Sequence, residues 1–330
     1  MTWNTRARRI LVPKKLAEML AQYGVPEVAL VVYGETWPPV EKLTQASAAI
    51  LWHREPAKLA SYLLQHQSDW EWMHSLWTGL EHLPLQEIHN RVKVFTIGRG
   101  TGAIPLTEWT VLALLWHAKR VPEIQESFRR GGWGQLTLGE LWGSQVVILG
   151  LGALGRHLAQ TLKKLGVEVV GVRRHPRPTR GCSKVVGIPE LVQACAAARA
   201  LIVALPATQA TTGLVGNEVL AALPTGSLVV NIGRAAVVSE EALFAQVASG
   251  RLWAALDVWW REPLPADSPW RTLHQVFPSP HGAYRSERFL QRHAQRVAEN
   301  LSAYLAGRPL KAAVSAREWR ELLQQNGGEP

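Results

Sequence analysis

Short runs of β-branched and aliphatic residues alternate along the chain with segments whose apolar positions recur every three to four residues, a pattern that predicts parallel strands covered by helices. In the first hundred residues the predicted strands are RRILVP, EVALVVYG, AAILWH, WMHSLW and VKVFTI. Between the first two, KKLAEMLAQYG places Leu16, Met19 and Leu20 on one helical face and stops at Gly24. A second series follows: QVVILG, VEVVGV, ALIVALP, SLVVNIG, WAALDVW and QVFPSP. Within it, SEEALFAQVASG opens on Ser239 as an N-cap, carries acidic residues in its first turn and ends at Gly250. PLTEWTVLALLWHAKR lies between the two series, and YRSERFLQRHAQRVAENLSAYLAG, long enough for about six turns, follows the second. If that last helix returns the chain to the first series, the second series is an insertion and a cleft lies between two lobes.

At 330 residues, with 47% hydrophobic and 19% charged residues, the chain has the composition of a two-domain globular protein rather than a disordered one. No apolar run approaches the roughly 18 residues of a membrane span, and the N-terminus lacks a secretory core. Cys182 and Cys195 form neither a disulfide framework nor a zinc site, which points to a reducing, cytoplasmic setting. The fifteen tryptophans are scattered without repeat, so packing is the expectation for nearly all of them. The net charge of +10 is spread over helix faces (Arg285, Arg288, Arg292, Arg296, Arg317, Arg320), apart from one cluster of Arg173, Arg174, Arg177, Arg180 and Lys184. Neither a nucleic-acid nor a membrane partner is expected. No HExxH, CxxC or carboxylate cluster has ligand spacing, so no catalytic metal is expected either.

In QVVILGLGALGRHLAQTLKKLG a strand runs into Gly150, Gly152 and Gly155 and then directly into a helix, and a second strand ends about twenty residues on, the arrangement that binds dinucleotides. The first glycine permits the tight turn, the second lets the backbone approach a pyrophosphate, and the third lets helix pack on strand. At the end of VEVVGV an acidic residue would bind a free ribose hydroxyl, but Arg173 and Arg174 stand there. Guanidinium groups favour a 2′-phosphate, so NADP is expected over NAD; a solvated basic loop is the alternative.

NIGRAAVVSEEAL, AALDVWWREPLPADSPW and SPHGAYRS, with GLGALG and LPATQATTGLVG, resemble the D-isomer-specific 2-hydroxyacid dehydrogenase family, and within it the glyoxylate and hydroxypyruvate reductase-like members. The resemblance runs in the family's order and spacing from about residue 70 onward. It implies a catalytic arginine, glutamate and histidine, matched here by Arg234, Glu262 and His281. The residue types suit the reduction of a 2-keto acid. Imidazole gives and takes a proton at neutral pH, a carboxylate beside it stabilises the imidazolium, and a guanidinium fork holds a carboxylate and a developing alkoxide. The resemblance further implies cofactor contacts at Gly150, Gly152, Ala153, Leu154, Gly155, Leu205, Pro206, Thr212, Ile232, Gly233, Arg234, His281 and Gly282, and at Asp257 near the nicotinamide. HSLWTGLEHLP resembles the family's loop that holds the substrate carboxylate through backbone N–H groups, and the match falls on Thr78, Gly79 and Leu80; with Arg234 of NIGRA these are the substrate contacts the resemblance implies. The family usually has a small residue where Trp77 or Thr78 stands, which leaves substrate size open.

The fold expected is therefore α/β, with two doubly wound parallel-sheet lobes. Residues 107–282 would form a Rossmann NAD(P)-binding domain inserted into a flavodoxin-like substrate domain of residues 1–106 and 283–330. The activity expected is NADPH-linked reduction of a small 2-keto acid to its D-2-hydroxy acid by a homodimer. A phosphite-oxidising enzyme of the same fold, or a corepressor-like NAD(P)H sensor, is the alternative.

Overall fold

The computed structural model describes residues 8–34 and 36–325. The chain divides after Thr101 and again after Ser286 into two compact units, the first formed from both ends of the chain.

The first unit is built on five strands: β1 (Ile10–Pro13), β2 (Leu30–Tyr33), β3 (Ala48–Leu51), β4 (Trp70–Ser75) and β5 (Val92–Ile97). Their order is β2-β1-β3-β4-β5 and every pairing is parallel. A parallel sheet needs helices on both faces, which is why its strands read as continuous apolar runs rather than alternating ones. On one face the Lys14–Ala21 and Phe289–Leu305 helices bury Leu16, Leu20, Val297 and Leu301 against Ile10, Val12, Ile50 and Trp72. On the other, Leu59 and Leu63 of Pro56–His66 and Ile88 of Leu85–Arg91 pack on Leu11, Met73 and Phe95. The Phe289–Leu305 helix has 17 residues, shorter than the sequence implied. The residues before it are used in turns, where the Arg285 N–H donates to the Gly282 carbonyl.

The second unit carries seven strands: β6 (Gln145–Leu149), β7 (Glu168–Val172), β8 (Lys184–Val186), β9 (Ala200–Val203), β10 (Leu228–Asn231), β11 (Trp253–Leu256) and β12 (Val276–Pro278). The order β12-β11-β10-β9-β6-β7-β8 is again wholly parallel. It turns at β6 and β9, the switch point where a crevice opens beyond the carboxyl ends of the strands. Strand β8 was not expected, since KVV is three residues long and follows a run of proline, arginine and glycine. Ser239 caps the Glu240–Ala248 helix by accepting from the Ala242 N–H, as its position predicted. The Ala103–Ala118 helix belongs wholly to this unit and begins ahead of Pro105, which the first turn of a helix tolerates.

Trp70, Trp72, Trp259 and Trp270 are buried, whereas Trp133 and Trp142, at 91% and 77% exposed, are exceptions to the packing expected of nearly all the tryptophans. Among the described residues no helix is long and apolar enough to cross a membrane.

Candidate active site

Strand β6 runs into Gly150, whose φ of +107° lies in the region that disfavours side chains, and a Cβ there would stand 2.7 Å from the Ala204 carbonyl oxygen. A Cβ on Gly155 would stand 1.9 Å from the Gly150 carbonyl oxygen, so the Ala153–Lys164 helix reaches its strand only because residue 155 is glycine. Gly152 differs: nothing lies within 4 Å of its missing side chain. No side chain caps the helix, and the first-turn N–H groups of Ala153, Leu154 and Gly155 have no acceptor within a helix of their own. An open approach, free backbone donors and the positive end of a helix dipole fit a dinucleotide's pyrophosphate.

The neighbouring strand ends close the crevice. A Cβ on Gly233 would lie 2.4 Å from the Leu205 carbonyl oxygen, which sets the loops after β9 and β10 against each other. Ile232 is buried beneath them. Pro206 is exposed, and its carbonyl accepts the Thr211 hydroxyl at 2.7 Å; the Thr212 hydroxyl donates to the Thr208 carbonyl at 2.9 Å.

Arg173 leaves the end of β7 with its N–H bonded to the Val186 carbonyl. Partial burial, and then the charges of Arg177 and Arg156, hold its guanidinium below the ordinary arginine value. Three cations crowded in this way favour an anion among them. Arg156, missed in the sequence, immediately follows the third glycine, and its Nη1 donates to the Leu151 carbonyl. Arg174 is exposed beside them. Next to this cluster an open depression of about 530 Å³ carries Arg177, Arg180 and Lys184 on its wall.

Beyond β11 and β12 two loops meet. His281 Nδ1 lies 2.7 Å from Glu262 Oε2, and Glu262 Oε1 accepts the Trp259 N–H at 2.9 Å, so the carboxylate is fixed on one side and holds the imidazole on the other. Both side chains remain more than a third exposed, open to a reactant. His281 sits at φ +50°, a left-handed conformation uncommon outside glycine and asparagine. Asp257 maintains it. Only 2% exposed, its Oδ1 accepts the Ser279 hydroxyl at 2.7 Å and the Gly282 and Ala283 N–H groups at 2.9 Å each. A buried carboxylate so satisfied ties β11 to the two residues that follow His281. The sequence placed Asp257 beside the nicotinamide and did not anticipate this role, although the apolar run around an acid was its signal.

Arg234 follows β10, and its Nη1 donates to the Gly233 carbonyl at 3.0 Å. Buried Asn231 shapes the turn, accepting the Gly233 N–H and donating to the Arg234 carbonyl, each at 3.1 Å. Asn231 was also missed as a site residue, because only its backbone neighbours carry chemistry. Thr78, Gly79 and Leu80 lie in the first unit, just past the carboxyl end of β4; Thr78 is exposed and Leu80 buried. Among the described residues no group of three or more His, Cys, Asp or Glu could hold a metal ion.

The sequence and the fold are similar to those of known proteins. The sequence model described as "D-isomer specific 2-hydroxyacid dehydrogenase, NAD binding domain" matches residues 111–283. The chain is similar to a glyoxylate reductase/hydroxypyruvate reductase of Homo sapiens, 34% identical over 252 residues that cover 72% of this chain and 74% of the relative. Its fold is similar to that of a D-isomer specific 2-hydroxyacid dehydrogenase from Xanthobacter autotrophicus Py2, solved with NADPH and MES. That similarity has a TM-score of 0.81 at 25% identity over 95% of this chain and 99% of the other. An NADPH-dependent glyoxylate/hydroxypyruvate reductase from Sinorhizobium meliloti, at 23% identity, shares the fold with a TM-score of 0.78 over 95% and 99%. With its two parallel-sheet units and its glycine turn at the β6 switch point, the chain belongs to the D-isomer specific 2-hydroxyacid dehydrogenase family, enzymes that use a nicotinamide dinucleotide.

Proposed function

We propose that this enzyme reduces a small 2-keto acid of the glyoxylate or hydroxypyruvate kind to the D-2-hydroxy acid, with NADPH preferred over NADH. The observation that carries the reading is the 2.7 Å contact of His281 with Glu262, in a loop at the carboxyl edge of the sheet that presents the glycine cradle. When bound, NADPH supplies a hydride to the keto carbon. Because His281 Nδ1 is engaged by Glu262, Nε2 is the nitrogen that carries the transferable proton, and it protonates the carbonyl oxygen as that oxygen gains charge. Glu262 stabilises the imidazolium and keeps the ring turned. Arg234 holds the substrate carboxylate, and its fork draws charge from the carbonyl; in the first unit, the loop of Thr78, Gly79 and Leu80 offers backbone N–H groups suited to a carboxylate. The cradle from Gly150 to Gly155 would hold the pyrophosphate, Leu205, Pro206, Thr212, Ile232, Gly233 and Gly282 would line the dinucleotide, and Asp257 would serve the nicotinamide side by holding the His281 loop. The free cysteines Cys182 and Cys195 fit a cytoplasmic enzyme.

The test is consumption of NADPH and NADH with glyoxylate, hydroxypyruvate, pyruvate, phenylpyruvate and, in the oxidising direction, phosphite. Turnover of glyoxylate or hydroxypyruvate with NADPH is expected; turnover of phosphite alone would replace the reading. Cofactor choice rests on the cations after β7. The paired change Arg173→Asp and Arg174→Ala is expected to lower kcat/KM for NADPH by about tenfold or more, roughly one lost charge-assisted contact, and to spare NADH. Equal use of both cofactors by the unmodified enzyme would contradict the assignment.

A homodimer is also proposed. Phe128, Trp133 and Leu112 are exposed by 72%, 91% and 53% in and after the two helices that precede β6, apolar side chains that a second copy would cover. Light scattering is expected to read twice the chain mass of 36.5 kDa. Trp133→Asp with Phe128→Asp should shift it to the monomer, and an unchanged dimer would move the interface elsewhere.

A further inference from the structure

Two histidines in the first unit take no part in the chemistry above, yet both are fully buried: His74 in β4 and His293 in the Phe289–Leu305 helix. Each has one ring nitrogen on a threonine. His74 Nδ1 lies 2.8 Å from Thr96 Oγ1, which also accepts the Trp72 indole N–H at 2.7 Å. His293 Nε2 lies 2.9 Å from Thr101 Oγ1, whose own hydroxyl donates to the Gly98 carbonyl at 2.6 Å. Since Thr101 has spent its proton on Gly98, His293 must donate from Nε2, and its Nδ1 is left as a bare acceptor. That Nδ1 and His74 Nε2 are buried and have no hydrogen-bond partner among the described residues.

The surroundings are built for neutral rings. Phe289 sits edge-to-face on His293 at 4.5 Å between centroids. Arg296, one turn along, adds a positive charge, only loosely offset by Glu299 at 3.6 Å. Beyond Trp72, Tyr304 donates to Glu71, which keeps that carboxylate engaged. Burial first, then His293 and Arg296, push His74 down to about 3; burial and then Arg296 push His293 down to about 4.

What the pair holds is the chain just beyond β4. A Cβ on Gly98 would stand 1.9 Å from the Leu76 carbonyl oxygen and 2.5 Å from His293 Cε1, so the Leu76 turn, Gly98 and the His293 ring are stacked in contact. Leu76 opens the segment that continues through Thr78, Gly79 and Leu80. We propose that His74 and His293 form an acid-sensitive latch: neutral, they fix the Leu76–Leu80 turn, and protonated, they release it. As positioning residues for the keto acid they rest on the assignment of Thr78–Leu80 as its carboxylate loop.

The sign follows from the depressed values. An imidazole freed by opening titrates near its ordinary 6.5, so the closed turn is fully favoured above that pH and loses ground as pH falls from 6.5 toward about 4. Between pH 7 and pH 5 each histidine exposed by opening favours the open form by about 20-fold.

Hydrogen exchange of the intact protein, followed by mass spectrometry over residues 76–83 and corrected for the intrinsic pH dependence of amide exchange, reads the latch without reference to turnover. Exchange there is expected to rise at least tenfold from pH 7 to pH 5. His293→Gln, which can still donate to Thr101 but does not titrate, should lose most of that rise. Exchange independent of pH in the unmodified protein, or an equal rise in His293→Gln, overturns the latch. Should that variant not fold, imidazole ¹⁵N spectra of the unmodified protein decide: two rings still neutral at pH 5 that protonate together with opening support it, and titration near 6.5 with the turn still closed overturns it. Compared at the same pH, the KM for glyoxylate should climb toward pH 5 more in the unmodified enzyme than in His293→Gln, so that any pH effect on the acid–base pair is common to both. A rise in exchange without a rise in KM leaves the latch standing and removes Thr78–Leu80 from the substrate site.

Discussion

His281→Ala is expected to lower keto-acid turnover by about 100-fold or more, the range in which a positioned general acid contributes, while NADPH still binds. The expectation comes from geometry. Nδ1 is held at 2.7 Å by Glu262 and the loop is anchored through Asp257, so a single ring nitrogen is left to serve the carbonyl oxygen. Alanine removes that nitrogen and leaves the glycine cradle, formed by other strands, untouched. Because residue 281 sits at φ +50°, His281→Asn is the better-matched control: asparagine tolerates the left-handed region and cannot transfer the proton. Both variants should show the loss in kcat, and the binding of NADPH, followed by its fluorescence, should remain within a few-fold of the parent. Near-normal turnover in either would end the acid–base assignment.

Asp257→Ala is expected to remove about 3 kcal/mol or more of stability in denaturant unfolding, because a hydroxyl and two backbone N–H groups lose their common acceptor inside the protein at about 1–3 kcal/mol each. Turnover should fall as well, since Gly282 and Ala283 are the residues that keep His281 in its unusual conformation. Asp257→Asn keeps one acceptor oxygen in place and should lose less on both counts. A stability loss below about 1 kcal/mol for the alanine variant would mean that the loop does not depend on this carboxylate.

The two-sheet architecture was readable because parallel strands buried on both faces leave unbroken runs such as QVVIL and LVVN, and because a glycine turn must sit between strand and helix for the helix to pack. The meeting of Glu262 with His281 was readable for a different reason: both stand in motifs recognisable as strings, and the structure brings the two side chains together. What escaped was the material that acts through space. Arg156 joins Arg173 only because the helix start and the end of β7 converge. Asn231 and Asp257 work by holding backbone. The partnership of His74 with His293 brings together a strand and a helix more than two hundred positions apart, and although His74 opens the HSLWTGLEHLP string, nothing in that string points to His293. Strand β8 was hidden by its length, and exposed Trp133 and Trp142 by the sound but incomplete rule that large aromatics pack inside.

The most direct measurement is to supply glyoxylate or hydroxypyruvate with NADPH deuterated at the transferable C4 position and to follow where the deuterium goes. The account predicts one deuterium on C2 of the hydroxy acid for each NADPH oxidised, with the D configuration for the chiral product from hydroxypyruvate. Label washed into water, an L or racemic product, or tight NADPH binding with no transfer to any keto acid would contradict it.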